Sequence, residues 1–333
     1  MSKFFDLPEK YDILIFDVNL WYHKNYHTHK DLSIEVGNQR IVTGGIYGFL
    51  KTLQRFERDY LKENGEIYFL FDNPNSKYNI RQLSIDPTYK ANRKEYSKPF
   101  YRGLDYLRLI LMEYHDNYTV IYGTGFEADD LVPNVLNTVD ENKRVLAISD
   151  DLDWARIINY KGKKVDLYMQ KKVYTKKEFN EKYNFLPNES NVVLYKVIRG
   201  DTSDNIPVGI PNIPSKIVEK LVGDYKDIFE ILENIQHIPY LNDTWKDRII
   251  QKRARLRLNH QLVSFIPIDD SYLKRFTFKS VFRPKSLSML YKSLGFNLRE
   301  VDKRLEKDLD KGKKIRYNDK SDSFFHMPEP KRE

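Results

Sequence analysis

Through its first half the chain alternates short apolar runs with amphipathic stretches. DILIF (12–16), EIYFLF (66–71), YTVIY (118–122) and RVLAIS (144–149) are nearly continuous apolar, β-rich runs of strand length. Between them, IYGFLKTLQRFERDYL (46–61) and LDYLRLILMEYH (104–115) repeat apolar residues at helical spacing. Strands apolar on both faces, alternating with helices, predict a mostly parallel sheet covered by helices. The fold class is α/β.

Each of these runs is followed by acid. Asp17 follows the first, Asp72 the second, Glu127, Asp129 and Asp130 the third, and Asp150, Asp151 and Asp153 the fourth. Taken alone, FEADD (126–130) is equally well a helix start, since carboxylates favour the positive end of a helix dipole. A cap at one helix does not explain acid after all four strands. The carboxyl ends of parallel strands share one edge, where ligands bind, so these side chains are expected to converge. Two like charges at 4 Å repel by about 1 kcal/mol in water and about 4 kcal/mol at an effective dielectric of 20. Such a knot calls for hard divalent cations, and Mg²⁺ or Mn²⁺ suits an all-oxygen donor set.

Composition narrows the chemistry further. Cysteine is absent, which removes disulfides, thiolate nucleophiles and cysteine-based metal sites. His23, His27 and His29 lie near the first helix, without a matching acid that would make them a metal site. No apolar run is long enough to span a bilayer and the start lacks a signal-peptide stretch, so the expected setting is cytoplasmic, with no membrane partner. The net charge is +8, and the Lys and Arg residues spread through 73–105, 161–182, 246–257 and 299–320 suit a polyanionic partner. The stretch from 73 to 105 is long, basic and rich in tyrosine, which marks a functional or disordered loop. WKDRIIQKRARLRLNHQLVSFIP (245–267) reads as one basic helix leading into an apolar segment.

The acidic series, with FDVNLW (16–21), TGGIYGFLKTL (43–53), FDNP, YKANR, GFEADDL, SDDLDW and GDTSDNIPVGIPNIPSK (200–216), resembles the 5′-nuclease or flap-endonuclease family. The likeness is to its bacteriophage 5′-3′ exonuclease and RNase H type members and to the 5′ nuclease domain of bacterial DNA polymerase I. It covers about residues 11–270. The resemblance implies a PIN-like nuclease core over 1–199, with a basic arch at 73–105. It also implies a helical duplex-binding subdomain with a helix-hairpin-helix over 200–300, and a charged tail over 301–333. It implies two Mg²⁺ or Mn²⁺ ions per site: Asp17, Asp72, Glu127, Asp129 and Asp130 at the first, Asp151 between the two, and Asp153, Asp201 and Asp204 at the second.

Lys90 and Arg93 would neutralise charge on the scissile phosphate, and Tyr89 would stack on a base. Gly44 and Gly45 offer backbone N–H groups to a phosphate, and Lys216 offers another contact. GIPNIPSK departs from the glycine pair usual in the family's hairpin, which puts in question the potassium ion often held there. Asn212 can take the left-handed conformation of a glycine, and Pro214 suits a first helical position.

The implied activity is a structure-specific 5′ nuclease of replication or repair. Its substrates would be branched or 5′-ended duplex DNA and RNA–DNA hybrids, including RNA primers, in a bacterial host cytoplasm if the chain is a phage protein. A monomer is expected. Phe324 and Phe325 in the tail suit a sliding clamp, a single-strand-binding protein or the chain's own core. Two other readings stay open: an RNA endonuclease on a PIN-like fold, and a non-catalytic branched-DNA-binding protein.

Overall fold

A computed structural model describes residues 10–36, 39–72, 79–123, 125–297, 301, 302 and 305. The expectations for the tail, including Phe324 and Phe325, lie outside the described residues, as do residues 73–78 of the basic stretch. The chain divides into two compact units, Met1–Arg283 and Pro284–Glu333.

In the first unit, β1 (Tyr11–Asp17), α1 (Val18–Thr28), the ribbon β2 (Ser33–Val36) and β3 (Gln39–Val42), α2 (Gly44–Tyr60) and β4 (Leu61–Phe71) open the fold. Next come α3 (Ile80–Ser84), α4 (Lys98–Tyr114), β5 (Tyr118–Tyr122), α5 (Ala128–Thr138), β6 (Val145–Ile148), β7 (Val165–Met169) and β8 (Lys172–Tyr174). The helical part follows: α6 (Lys176–Tyr183), α7 (Glu189–Arg199), α8 (Ser215–Asp224), α9 (Ile228–Asn234), α10 (Asp243–Gln251), α11 (Arg253–Val263) and α12 (Asp270–Arg275). The last strand, β9 (Thr277–Lys279), returns to the sheet. The second unit carries α13 (Pro284–Ser293), whose Leu287 and Tyr291 are buried. Among the described residues no helix is long and apolar enough to cross a membrane.

The seven-stranded sheet runs β8-β7-β6-β1-β4-β5-β9. Its five inner strands are parallel, and the short edge strands β8 and β9 pair antiparallel to their neighbours. The four predicted strands are its centre. β7, β8, β9 and the β2–β3 ribbon were not anticipated, because strands of three to five residues carry too little periodicity to register. Ile13, Leu14, Ile15 and Phe16 of β1 are all at most 1% exposed, which explains the unbroken apolar run. Phe16, Phe49, Phe56 and Phe69 interlock on one face of the sheet with ring centroids 5.5–6.3 Å apart.

Strand order places the ligand edge. The chain builds outward from β1 through β4 to β5, then returns to the other side of β1 with β6. The order therefore reverses between β1 and β6, and the crevice beyond their carboxyl ends is the expected site.

Three local readings change. The basic stretch is not one loop: α3 lies within it, and α4 begins at Lys98, six residues earlier than expected, with a proline in its first turn. The single helix expected from 245 is two, broken at Lys252, whose φ of −91° and ψ of 4° leave the helical region. Pro214 takes the N-cap position of α8 rather than its first turn, while Asn212 does adopt φ 61°.

Candidate active site

Each strand end turns its acid toward one cleft of about 260 Å³. Asp17 closes β1 and caps α1, its Oδ1 accepting from Leu20 N–H at 3.1 Å, while its Oδ2 accepts from the Ser149 hydroxyl at 2.8 Å. The cap explanation and the cleft-lining position thus hold together in one residue. Asp72, just past β4, accepts from Ala128 N–H at 2.8 Å. Glu127 is the N-cap residue of α5, and Asp151 caps a short 3-10 turn (Leu152–Ile157) by accepting from Asp153 N–H at 3.0 Å. Asp17, Asp72, Glu127, Asp129, Asp151, Asp153 and Asp204 all line the cleft, together with Lys90 and Arg93.

The turn after α7 supplies the other wall. Gly200 has φ 71°, and a Cβ there would lie 2.7 Å from the carbonyl oxygens of Ile206 and Pro207, so the reversal requires glycine. Asp201 and Ile206 then exchange both backbone hydrogen bonds, at 2.8 and 2.7 Å, which folds Asp201 and Asp204 inward. One oxygen from each of Asp153, Asp201 and Asp204 lies within 4.8 Å of the others, a group able to hold a metal ion.

The basic turn is stitched to this acidic turn. Lys90 N–H donates to Asp204 O at 2.9 Å, Asn92 Nδ2 to Thr202 O at 2.9 Å, and Asn205 Nδ2 to Thr88 O at 2.7 Å. Lys90 itself sits at φ 56°, which costs a non-glycine residue roughly 1–2 kcal/mol that the docking bonds offset. Its ammonium binds Glu127 and stands 3.7 Å from Asp204, and the Arg93 guanidinium pairs with Asp204.

Three further cations were not anticipated. Lys196, 5% exposed on α7, pairs with Asp153 and with Asp201 at 2.6 Å. Arg81 and Arg156 are equally buried and pair with Asp130 and Asp129. Nine carboxylates (Asp17, Asp72, Glu127, Asp129, Asp130, Asp151, Asp153, Asp201, Asp204) thus face five cations (Arg81, Lys90, Arg93, Arg156, Lys196), an excess of four negative charges. Asp17, Asp72 and Asp151 form no ion pair among the described residues.

Ionisation follows that imbalance. Burial, then Asp72, pushes Asp17 up to about 7. Burial, then Asp153, pushes Asp151 up to about 6. Burial also raises Asp72. Where an ammonium is at hand the sign reverses. Burial opposes ionisation of Asp201, but Lys196 overcomes it and holds Asp201 at about 2. Burial of Glu127 is likewise outweighed by Lys90 and Arg81, so its carboxyl lies well below the usual range. An all-oxygen donor set with surplus negative charge fits divalent cations.

Three expectations need correction. Asp130 does not face the cleft: both its oxygens are taken by Arg81 at 2.6 and 2.8 Å, and it also accepts from Ile266 N–H at 2.9 Å. Tyr89 is 2% exposed, and its hydroxyl donates toward Glu127 and Asp204 at 3.0 and 3.1 Å, so its ring has no face for a base. Gly44 N–H is already spent on Leu32 O at 3.0 Å, and a Cβ at Gly44 would fall 1.9 Å from His29 O. A Cβ at Gly45 would fall 2.6 Å from the Tyr22 ring, so both glycines serve the close approach of α2 to α1. Lys216 is exposed on the first turn of α8, outside the cleft, so its expected phosphate contact would lie away from the acids.

An aromatic wall stands where Tyr89 was expected. His23, Tyr96, Phe100 and Tyr101 line the cleft opposite the acids, with Tyr96 and Phe100 stacked at 4.1 Å and His23 5.1 Å from Tyr96. Burial and the neighbouring His27 lower the pKa of His23, which keeps its ring neutral near pH 7. The tyrosines of the basic stretch were the signal for this wall.

Residues 12–184 match the family model described as 5′-3′ exonuclease, N-terminal resolvase-like domain. DNA polymerase I of Caldicellulosiruptor bescii is 29% identical over 232 residues, covering 68% of this chain. The chain spans only 26% of that polymerase. A 5′-3′ exonuclease of Mycoplasmopsis pulmonis is 24% identical over 75% of this chain and 78% of its own length. Among solved structures, the bacteriophage T5 5′-exonuclease with bound zinc superposes with a TM-score of 0.58 over 90% of this chain and 98% of that one, at 16% identity. The T5 flap endonuclease in a pseudo-enzyme–product complex with DNA and metal ions superposes equally well, at 0.58.

Proposed function

The chain belongs to the 5′-3′ exonuclease family, so its chemistry is phosphodiester hydrolysis, and we propose that it is a structure-specific 5′ nuclease acting on branched or 5′-ended duplex DNA and on RNA–DNA hybrids. The observation that carries this reading is the formal surplus of four negative charges, with every carboxylate ionised, at the topological switch point, where Asp17, Asp72 and Asp151 stand outside any ion pair among the described residues. Two Mg²⁺ or Mn²⁺ ions would cancel it. Asp17, Asp72, Glu127 and Asp129 would hold one, Asp153, Asp201 and Asp204 the other, and Asp151 would lie between them. When bound, such ions supply Lewis acidity for both the attack on phosphorus and the departure from it.

The protein's own groups do the rest. Lys90 is fixed to the acidic turn by its backbone N–H and Arg93 by its Nε, which donates to Ser203 O, so their charges are already placed when a phosphate enters the cleft. On entry they exchange a carboxylate partner for a phosphate oxygen. His23 and Tyr96 offer ring faces to the base beside that phosphate. Lys216 and the arginines of α11 are the proposed contacts to duplex, within the helical part from residue 200 onward. Arg199 ties the hairpin together, its Nη1 donating to Ile213 O at 3.2 Å and its Nη2 to the Ser215 hydroxyl at 2.6 Å.

Cleavage of a 5′-flap duplex, a primer hybrid and a plain RNA, each with Mg²⁺ or EDTA, tests the proposal. Metal-dependent release of the 5′ segment from the first two is expected. Cutting of the RNA alone would favour an RNA endonuclease, and binding without cutting would leave a non-catalytic scaffold.

A further inference from the structure

Behind the cleft, two buried arginines join the acidic turn to a distant segment. Arg81 grips Asp130 with both terminal guanidinium nitrogens, and it also donates to Leu262 O at 2.8 Å and Ser264 O at 2.9 Å. Arg156 pairs with Asp129, donates to Val263 O and to Asp153 O, the latter at 2.9 Å, and lies 3.9 Å from the Phe265 ring centroid. Three successive carbonyls, Leu262 and Val263 at the end of α11 and Ser264 just after it, are therefore read alternately by two arginines, whose other ends hold two adjacent aspartates. Ile266 N–H closes this 262–266 strap on Asp130 at 2.9 Å.

A guanidinium is planar and its donors are fixed relative to one another, so anchoring one edge on carbonyls fixes where the other edge can hold a carboxylate. Asp130 accepts two bonds from Arg81, one from Ile266 N–H and a longer one from Glu127 N–H at 3.3 Å, which leaves it saturated by protein donors. Asp129, by contrast, is clamped from behind and still lines the cleft.

We propose that Arg81 and Arg156 are positioning residues that lock the Glu127–Asp130 turn to the 262–266 strap and thereby aim Asp129 into the metal-binding cleft. The inference rests on the nuclease reading above for its effect on turnover, but not for its effect on metal binding. Arg156→Lys keeps the charge and loses the fork, because one ammonium cannot serve Asp129, Val263 O and Asp153 O together. In this variant kcat on a 5′-flap duplex should fall about tenfold or more while KM stays within about twofold. Calorimetric titration with Mn²⁺, without DNA, should show half-saturation moved by about threefold or more at a melting temperature within about 5 °C of the parent. A folded Arg156→Lys protein with parental kcat and Mn²⁺ isotherm would overturn the proposal. If that variant does not fold, Phe265→Ala decides: it removes the ring against the guanidinium and no charge, and it should shift the isotherm in the same direction, whereas an unmoved isotherm rejects the clamp. Should the parent protein cleave nothing, the nuclease reading fails, and the Mn²⁺ isotherms still judge the clamp.

Discussion

Lys90 is tied to Asp204 twice: its backbone N–H donates to the Asp204 carbonyl at 2.9 Å, and its ammonium stands 3.7 Å from the Asp204 carboxylate. The basic turn and the acidic turn are thus one preassembled unit, and the cation is delivered to the cleft by backbone bonds that do not depend on its charge.

Lys90→Ala should therefore leave the turn docked and remove only the ammonium. We expect kcat on a 5′ flap to drop about 10²- to 10³-fold, with the DNA Kd within about threefold. Single-turnover cleavage and a binding isotherm in Ca²⁺ check this. Equal losses in rate and affinity would make Lys90 a tether.

Asp151 lines the cleft and forms no ion pair among the described residues, and the proposed function puts it between the two ions. Asp151→Asn should reduce cleavage by about 10³-fold or more while DNA binding in EDTA is unchanged or slightly tighter, since one repulsive charge is gone. Retained turnover would remove Asp151 from the bridging position.

The raised acids give a pH signature. Asp17, near 7, and Asp151, near 6, hold protons in the folded chain over a range where the unfolded chain, at 3.8, has released them. Stability therefore falls as pH rises through that window, by about 1.4 kcal/mol per pH unit for each group. Asp201, held near 2, loses its contribution only below its ordinary value and stays silent in this window. In EDTA the melting temperature should decline from about pH 4 to about pH 7, and Mn²⁺ should flatten the decline because the ion replaces the protons. A melting temperature in EDTA that rises over this range would show both groups ionised throughout.

Gly44→Ala tests whether the glycine serves packing. With a Cβ 1.9 Å from His29 O, α2 must move away from α1, and a loss of roughly 1–3 kcal/mol by urea denaturation is expected. Unchanged stability with weakened DNA binding would restore the phosphate-contact role.

The sequence by itself determined the parallel sheet and the acids at its edge. An apolar run such as DILIF records burial on both faces locally, and the charge that follows it marks a strand's end. It also signalled the basic stretch, though not its helices, because α3 is only five residues long. Tertiary structure alone decided which acids face the cleft. Asp129 and Asp130 are neighbours in sequence with the same chemistry, yet one lines the cleft and the other is consumed by Arg81. Nothing near Arg81 or Arg156 in the chain names a partner, since their aspartates lie 49 and 27 residues away, and Lys196 joins Asp201 nearby to Asp153, 43 residues away. Periodicity reports what a residue's own element buries, whereas the destination of a charge depends on which other elements the fold brings beside it.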